Sequence, residues 1–241
     1  MKIFVADTYE GISKKAANDM IGLMRSFKNP LLCVASGDTP EGLYKEIVDK
    51  VNKNELDISA WSFVGLDEWI GLNETDEGSC QFHLNNQLFR PLQVAKTKLS
   101  FFDGRAKDLN KEFKDVESFI RQHGGIDVSI LGLGMNGHIG MNEPGSSPAL
   151  RSHVTILDPI TQKVGQKYFK EQRQLSEGIT LGLATLMESK HIFLLVSGLH
   201  KAAIVHRLIK EEISEQLPAS LLRNHPGLKI YLDKDAAQLI P

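Results

Sequence analysis

The stretch PLLCVASGDTPEGLYKEIVDKVNK, residues 30–53, decides the fold class. It opens with an apolar run, continues through a turn around Gly37, and ends in residues 40–53 with the spacing of an amphipathic helix. Strands that are apolar throughout, rather than alternating, are typical of sheets that helices cover on both faces. The stretch therefore predicts one strand–turn–helix unit of an α/β fold.

The same alternation extends along the rest of the chain. Further apolar runs are KIFVA, WSFVGLD, KLSFFD, DVSILGLG, HVTIL, HIFLLVSG and LKIYLD, and amphipathic segments lie between them at 11–27, 108–123 and 200–213. We expect a single doubly wound α/β domain over residues 1–241, with a mostly parallel sheet and helices on both faces in a three-layer, Rossmann-like arrangement. Residues 146–178 are less regular and more polar, with Gly145, Pro148, Pro159 and Gly165 as breakers, which fits either a lid over a site or a surface excursion.

Composition argues against several classes of protein. The net charge of −2 argues against nucleic acid as a partner, and no apolar run approaches the roughly 20 residues that span a bilayer. Cys33 lies in an apolar run and reads as a structural thiol, and neither it nor Cys80 belongs to a metal-binding spacing. We expect a reduced, cytoplasmic protein with no metal, no organic cofactor, and no nucleic-acid or membrane partner.

The turn SGDTP is the first candidate for ligand binding, because ligands of open α/β sheets bind beyond the carboxyl ends of strands. It comprises Ser36, Gly37, Asp38 and Thr39, followed by Pro40. Gly37 permits a tight turn, and Thr39 is expected to cap the helix that Pro40 opens. Free N–H groups at such a helix start bind anions such as phosphate. The alternative is a well-capped helix without a ligand.

Two adjacent acids, Asp67 and Glu68, end the run WSFVGL. Neighbouring residues of a strand point to opposite sides, so at most one of them faces a pocket. A partly desolvated carboxylate at a strand end suits a general base, since burial raises the pKa of a carboxyl towards neutrality. The alternative is a solvated acid or a helix cap.

The segment GLGMNGHIGMNEPG is the most specific, with Asn136, His138 and Glu143 in a glycine-rich loop after a strand. An imidazole titrates near neutrality, and we expect Glu143 to orient it and Asn136 to hydrogen-bond to it. The spacing differs from that of a helical zinc motif, so zinc is not indicated. His200 and the other histidines that we considered lack an acid at a suggestive spacing, and we expect structural or surface positions for them.

The last strand end carries SGLHK, in which Lys201 begins a helical segment. A lysine just beyond a strand end can reach a phosphate as a point charge. A solvated lysine is the alternative, but a second anion-binding strand end in the same sheet favours the phosphate role.

These motifs together resemble the glucosamine-6-phosphate deaminase/isomerase family, and the resemblance runs nearly from end to end. The resemblance rests on the motifs SGDTP, DEW, GLGMNGHIGMNEPG, GITLGLATLM and LVSGLHKA. The resemblance implies that an amino-sugar 6-phosphate ring is opened, isomerised and deaminated without metal or cofactor. It implies that Asp67 moves a proton between C2 and C1, and that His138 assists ring opening with Glu143 as its partner. Residues 36–39 and Lys201 would hold the substrate phosphate.

Three departures from the family pattern qualify this assignment. Asn136 stands where these deaminases normally carry Asp. The combination of LGLG-x-NGH, DEW and the PAS segment at 218–220 looks more like the subgroup that acts on galactosamine 6-phosphate, so we favour that substrate and tagatose 6-phosphate as its product. His153 and Thr155 replace basic residues that bind an allosteric sugar phosphate in hexameric members. The phosphate-binding Arg of the lid has no clear counterpart, and Lys167 and Arg173 are the candidates.

Two other functions stay open at this point. Sugar-phosphate lactonases share the glycine-rich His loop but typically lack the NEP motif and carry Arg where Trp69 stands. A non-catalytic sugar-phosphate sensor would keep the pocket and lose ring-opening ability through Asn136. The sequence leaves the choice between a monomer and a homo-oligomer undecided.

Overall fold

The computed structural model describes residues 1–240 of the chain. Its strands are β1 (Lys2–Ala6), β2 (Leu31–Val34), β3 (Ser62–Gly65), β4 (Asp67–Trp69), β5 (Leu99–Ser100), β6 (Val128–Gly132), β7 (His153–Ile156), β8 (Glu177–Thr180), β9 (His191–Val196) and β10 (Leu228–Asp233). Its α-helices are α1 (Tyr9–Met24), α2 (Asp38–Asn52), α3 (Cys80–Leu84), α4 (Leu109–Gln122), α5 (Pro159–Gly165), α6 (Leu183–Met187), α7 (Ala202–Lys210) and α8 (Pro218–Leu221). Among these residues, no helix is both long and apolar enough to cross a membrane.

Seven strands form a parallel sheet in the order β1-β10-β9-β6-β2-β3-β5. From β2 the chain moves outward to β3 and β5, whereas from β6 it moves the opposite way to β9 and β10. The order therefore reverses between β2 and β6, and open sheets bind ligands beyond the carboxyl ends of strands at such a point. The predicted doubly wound α/β fold is confirmed.

Helices cover both faces of this sheet, as the apolar strands predict. On β2, Leu32 and Val34 pack in one buried cluster with side chains of α1 and α2. Leu31 and Cys33 pack in a second cluster with side chains of α4 and α7 on the other face. Because both faces of β2 are buried, no position on it favours a polar side chain.

A second, three-stranded antiparallel sheet has the order β4-β8-β7 and departs from the expected organisation. The run WSFVGLD divides at Leu66, so that β3 lies in the large sheet and β4 in the small one. The run HVTIL was expected in the mostly parallel sheet, and this expectation is wrong. It forms β7, an edge strand of the small sheet, whose Ile156 is 77% exposed.

Residues 146–178 are more regular than their composition predicts, since they contain β7, α5 and the first residues of β8. Asp158 caps α5 by accepting a hydrogen bond from Ile160 N (2.7 Å), and Pro159 occupies the first turn. Leu157 and Leu175 pack against Trp69 of β4 in a third apolar cluster. The segment is thereby anchored onto the small sheet, and its α5 side lies along the cavity described next.

Candidate active site

A cavity of about 850 Å³ opens at the carboxyl edge of the parallel sheet. It is lined by the turns that follow β2, β3, β6 and β9 and by the α5 segment. The lining residues used below are Ser36, Gly37, Asp38, Thr39, Asp67, Cys80, His138, Thr161, Lys167, Tyr168, His200 and Lys201. The four strand ends singled out from the sequence therefore contribute to one cavity.

Asp67 and Glu68 point to opposite sides, as the strand geometry predicts. Asp67 lines the cavity, whereas Glu68 is buried and accepts hydrogen bonds from three backbone N–H groups. These donors are Trp69 N (2.9 Å), Cys80 N (2.9 Å) and Gln81 N (3.0 Å). Glu68 thus ties the start of α3 to β4, which holds the Cys80 thiol beside the Asp67 carboxyl.

Burial raises the pKa of Asp67 to about 6. A hydrogen bond from the Cys80 thiol and the electrostatic influence of the nearby His138 ring oppose this rise. A carboxyl with this pKa is ionised at neutral pH and still basic enough to take up a proton from a substrate. These are the properties required of a general base.

The His138 imidazole lines the cavity, and two side chains lie near its Nδ1 atom. Nδ1 lies 3.0 Å from the Thr161 hydroxyl and 3.4 Å from Glu143 Oε2. Glu143 is 5% exposed, and its Oε2 accepts a hydrogen bond from Asn136 Nδ2 (2.8 Å). Burial raises the pKa of Glu143, but the nearby His138 imidazole and hydrogen bonds from Thr161 and Asn136 outweigh this effect and hold that pKa below its ordinary value. Glu143 is therefore a carboxylate at neutral pH.

The expectation that Asn136 hydrogen-bonds to the imidazole is wrong. Its Oδ1 accepts from the backbone N of His138 (3.1 Å), and its amide donates to Glu143 instead. An Asn side chain readily reaches the N–H two residues further on, so this local turn wins over a contact with the ring. Asn136 thus acts on the loop backbone and on Glu143.

The turn after β2 differs in detail from the expectation. Gly37 has a φ of 110°, a conformation that glycine adopts without strain, and α2 begins at Asp38. Thr39 is therefore in the first turn and is not the cap, which corrects the predicted role. Pro40 also fits there, because N–H groups of a first turn make no intrahelical bond. No side chain caps this turn within residues 1–240, and its residues line the cavity.

Two lysines lie at the same part of the cavity. Lys201 donates to the Leu133 carbonyl, and burial together with the positive charge of Lys167 lowers the pKa of Lys201 to about 8. Lys167 pairs with the Asp38 carboxylate at 2.6 Å. Of the two lid candidates, Lys167 lines the cavity, whereas Arg173 is exposed and is not among the residues that line it. The Asp38 side chain is engaged by Lys167.

Comparisons with known proteins place the chain in a family. A family profile described as glucosamine-6-phosphate isomerases/6-phosphogluconolactonase matches residues 7–230. The chain belongs to this family. It is 36% identical to the glucosamine-6-phosphate deaminase of Oceanobacillus iheyensis over 239 residues, which is 99% of this chain and 96% of that protein. It is also 36% identical to the glucosamine-6-phosphate deaminase of Thermoanaerobacter pseudethanolicus, over 100% of this chain and 96% of the relative.

Solved structures give the same picture of the fold. A structure described as a monomeric glucosamine-6-phosphate deaminase superposes with a TM-score of 0.95 at 34% identity, covering 99% of this chain and 100% of the other. The 6-phosphogluconolactonase of Trypanosoma brucei superposes with a TM-score of 0.77 at 19% identity, covering 100% and 98%. At that lower identity the likeness concerns the fold alone.

Several cavity residues were missed by reasoning from the sequence of this family member. Thr161, Tyr168 and Cys80 carry no motif of their own, and His200, expected at the surface, is exposed but also lines the cavity. The cap signal before α5, Asp158 followed by Pro159, indicates that Thr161 lies on a helix, but it does not indicate which residue the Thr161 side chain contacts. Among residues 1–240, no group of three or more His, Cys, Asp or Glu side chains is arranged to hold a metal ion.

Proposed function

We propose that this enzyme converts a 2-amino-2-deoxyhexose 6-phosphate and water into a ketose 6-phosphate and ammonia. The observation that carries the proposal is that a carboxyl of raised pKa, an imidazole and two lysines line one cavity at the switch point of the sheet. An acid–base pair beside a phosphate-binding group suits proton transfer next to a carbonyl or imine. The family membership of the chain supports the same reaction.

The substrate phosphate is assigned to the turn after β2 and to Lys201. The N–H groups of the uncapped first turn of α2 and the positive end of its dipole favour an anion. The Asp38 carboxylate would repel a phosphate, so only its backbone N–H is assigned to binding. Lys167 is the residue of the α5 segment that we assign to the phosphate, in exchange for its present pairing with Asp38.

Asp67 and His138 are assigned to the chemical steps. His138, oriented by its Nδ1 contacts, transfers a proton during ring opening and leaves an open-chain aldehyde. Asp67 then takes the proton from C2 and returns it to C1, while a proton passes from the nitrogen to the C1 oxygen. The C1 carbonyl thereby becomes an alcohol, and a carbon–nitrogen double bond forms at C2. Addition of water at C2 releases ammonia and leaves the ketose. The proton taken up is given back, so the enzyme ends as it began.

The sugar epimer is the finer part of the proposal. The relatives reported above are named for glucosamine 6-phosphate, and we therefore propose this substrate, with fructose 6-phosphate as product, as the first to test. Asn136, in place of the family's Asp, is the feature that favours galactosamine 6-phosphate as a second candidate. The galacto preference stays a prediction.

Ammonia release from the two amino-sugar phosphates, measured side by side with purified protein, tests the proposal. We expect release from at least one of them and none from the Asp67→Asn variant under the same conditions. Hydrolysis of 6-phosphogluconolactone well above its spontaneous rate, without ammonia release from either amino sugar, would establish the lactonase alternative. Thermal stabilisation by the amino-sugar phosphates without turnover would establish the sensor.

A further inference from the structure

The Nδ1 atom of His138 has two neighbours, and their distances rank them. The Thr161 hydroxyl lies at 3.0 Å, within the usual range of a hydrogen bond, whereas Glu143 Oε2 lies at 3.4 Å, beyond it. The carboxylate that the NEP motif supplies is therefore the more distant partner. A hydroxyl can accept from Nδ1–H and donate to a carboxylate at the same time, which neither an amide nor a second carboxylate can do through one atom.

We propose that Thr161 is the positioning residue that bridges His138 to Glu143 and holds the imidazole with its proton on Nδ1. This inference rests on the proposed function for its kinetic consequences, though not for the contact itself. With Nδ1 protonated, Nε2 is the free nitrogen that exchanges a proton with the substrate.

Burial makes this contact consequential. Thr161 is 6% exposed and Glu143 is 5% exposed, so neither exchanges its partner for bulk water at low cost. Within residues 1–240, the second oxygen of Glu143, Oε1, has no hydrogen-bond partner. Removal of the hydroxyl would leave Nδ1 with only the longer contact to a carboxylate that is itself incompletely satisfied.

The position of Thr161 on α5 gives the bridge a second role. The same segment continues to Lys167, which pairs with Asp38 at the start of α2. One short segment therefore contacts both the imidazole and the phosphate-binding turn. The orientation of His138 in this chain therefore depends on the position of α5, which Leu157 and Leu175 anchor against Trp69.

Histidine side-chain ¹⁵N spectra of the substrate-free protein test the contact directly, with His138→Gln identifying the signals. We expect Nδ1 of His138 to carry the proton in wild type and in Thr161→Ser, and to lose this preference in Thr161→Val. Thr155→Val is the matched control, because within residues 1–240 the Thr155 hydroxyl hydrogen-bonds only to the carbonyl of the next residue on β7, outside the cavity. Unchanged His138 signals in Thr161→Val would overturn the inference whether or not the protein releases ammonia.

Steady-state kinetics test the consequence. Thr161→Val should lower kcat about tenfold, with the affinity for a non-reactive hexitol 6-phosphate changed less than about twofold, and Thr161→Ser should restore most of kcat. If Thr161→Ser is as impaired as Thr161→Val, or if Thr161→Val keeps the wild-type kcat, the proposed role of the Thr161 hydroxyl is wrong. Thr161→Ala replaces the valine variant if the latter fails to fold.

Discussion

Two groups of side chains make up the candidate active site, and they differ in how their charges are balanced. The acid–base cluster (Asp67, Asn136, His138, Glu143 and Thr161) is held by hydrogen bonds among its own members, together with the thiol beside Asp67. In the anion cluster (residues 36–39, Lys167 and Lys201), Asp38 pairs with Lys167, but Lys201 makes no salt bridge within residues 1–240. The positive charge of Lys167 contributes to the lowered pKa of Lys201, and among the residues that the structure describes no side chain caps the first turn of α2. The hydrogen bonds of the first cluster are formed without a ligand, whereas the second cluster keeps a positive charge that an anion would balance.

This difference indicates how the two clusters contribute to a reaction. Groups that are fixed before the substrate arrives need no reorganisation when charge moves, which favours the transition state. Groups whose repulsion is relieved by a phosphate contribute mainly to substrate binding. We therefore expect substitutions in the acid–base cluster to act on kcat and those in the anion cluster to act on KM.

Asp67→Asn should have the largest effect. Because the amide cannot take up a proton, we expect kcat to fall by about 10³-fold or more, while stabilisation by a hexitol 6-phosphate persists. Ammonia release and thermal shift on the same preparation give both values. An Asp67→Asn enzyme with wild-type turnover would exclude Asp67 as the base.

The same variant should be more stable at neutral pH. The pKa of Asp67 in the folded protein, about 6, lies above its ordinary value of 3.8, so the ionised carboxyl costs folding free energy above pH 6. As pH falls from 6 towards 4, the folded wild type takes up this proton and recovers the loss. We expect Asp67→Asn to raise the free energy of unfolding by about 2 kcal/mol at pH 7 and by little at pH 4. Urea unfolding at the two pH values measures the difference.

The strand–turn–helix pattern at 30–53 sufficed to predict the fold, because burial on both faces leaves a strong local signal in each strand. The parallel topology then brings strand ends together, so Asp67, His138 and Lys201 could be assigned to one cavity from separate motifs. The small sheet was harder to foresee. Its strands have three or four residues, and an exposed Ile156 mimics the pattern of a buried strand.

Contacts between elements were beyond prediction for a different reason. Thr161 contacts His138, which lies 23 residues earlier in the sequence. This contact depends on where α5 packs rather than on any local sequence pattern. Asn136 is the opposite case, because its side chain accepts a local hydrogen bond from the backbone N–H of His138. The comparison of motifs led us to expect a contact with the imidazole instead. The early start of α2 has the same local origin, because Gly37 turns the chain before Thr39 can cap it.

Lys201→Met should have the next largest effect and act on the other cluster. Loss of a charge-assisted hydrogen bond costs about 1.5–3 kcal/mol, so we expect KM to rise about 10- to 100-fold with a smaller change in kcat. Lys167→Met should cost less, because its side chain is 47% exposed and already has Asp38 as a partner. Initial-rate kinetics on the three enzymes decide the ranking, and a loss confined to kcat in Lys201→Met would contradict the division into two clusters.

The pH dependence of binding should follow Lys201. Its lowered pKa of about 8 means that the side chain carries its charge below this pH and loses it above. The affinity for a hexitol 6-phosphate, which has no amine to titrate, should therefore weaken above pH 8, by up to about tenfold per pH unit. Calorimetry between pH 7 and 9.5 measures this limb. If the affinity of Lys201→Met weakens above pH 8 as much as that of wild type, another group is responsible for this pH dependence.

Asn136→Asp should have the smallest effect and tests the acid–base cluster at its edge. The Asn136 amide donates to Glu143 at 2.8 Å, so an aspartate would place a second carboxylate against the first and favour a protonated imidazole nearby. We expect kcat to change by less than about tenfold and the acid limb of its pH profile to move upward. Asn136→Ala removes the same donor without adding charge, and its limb should stay in place. An unmoved limb in Asn136→Asp would mean that His138 takes no part in the rate-limiting step, and would reduce the chemical role of this cluster to Asp67.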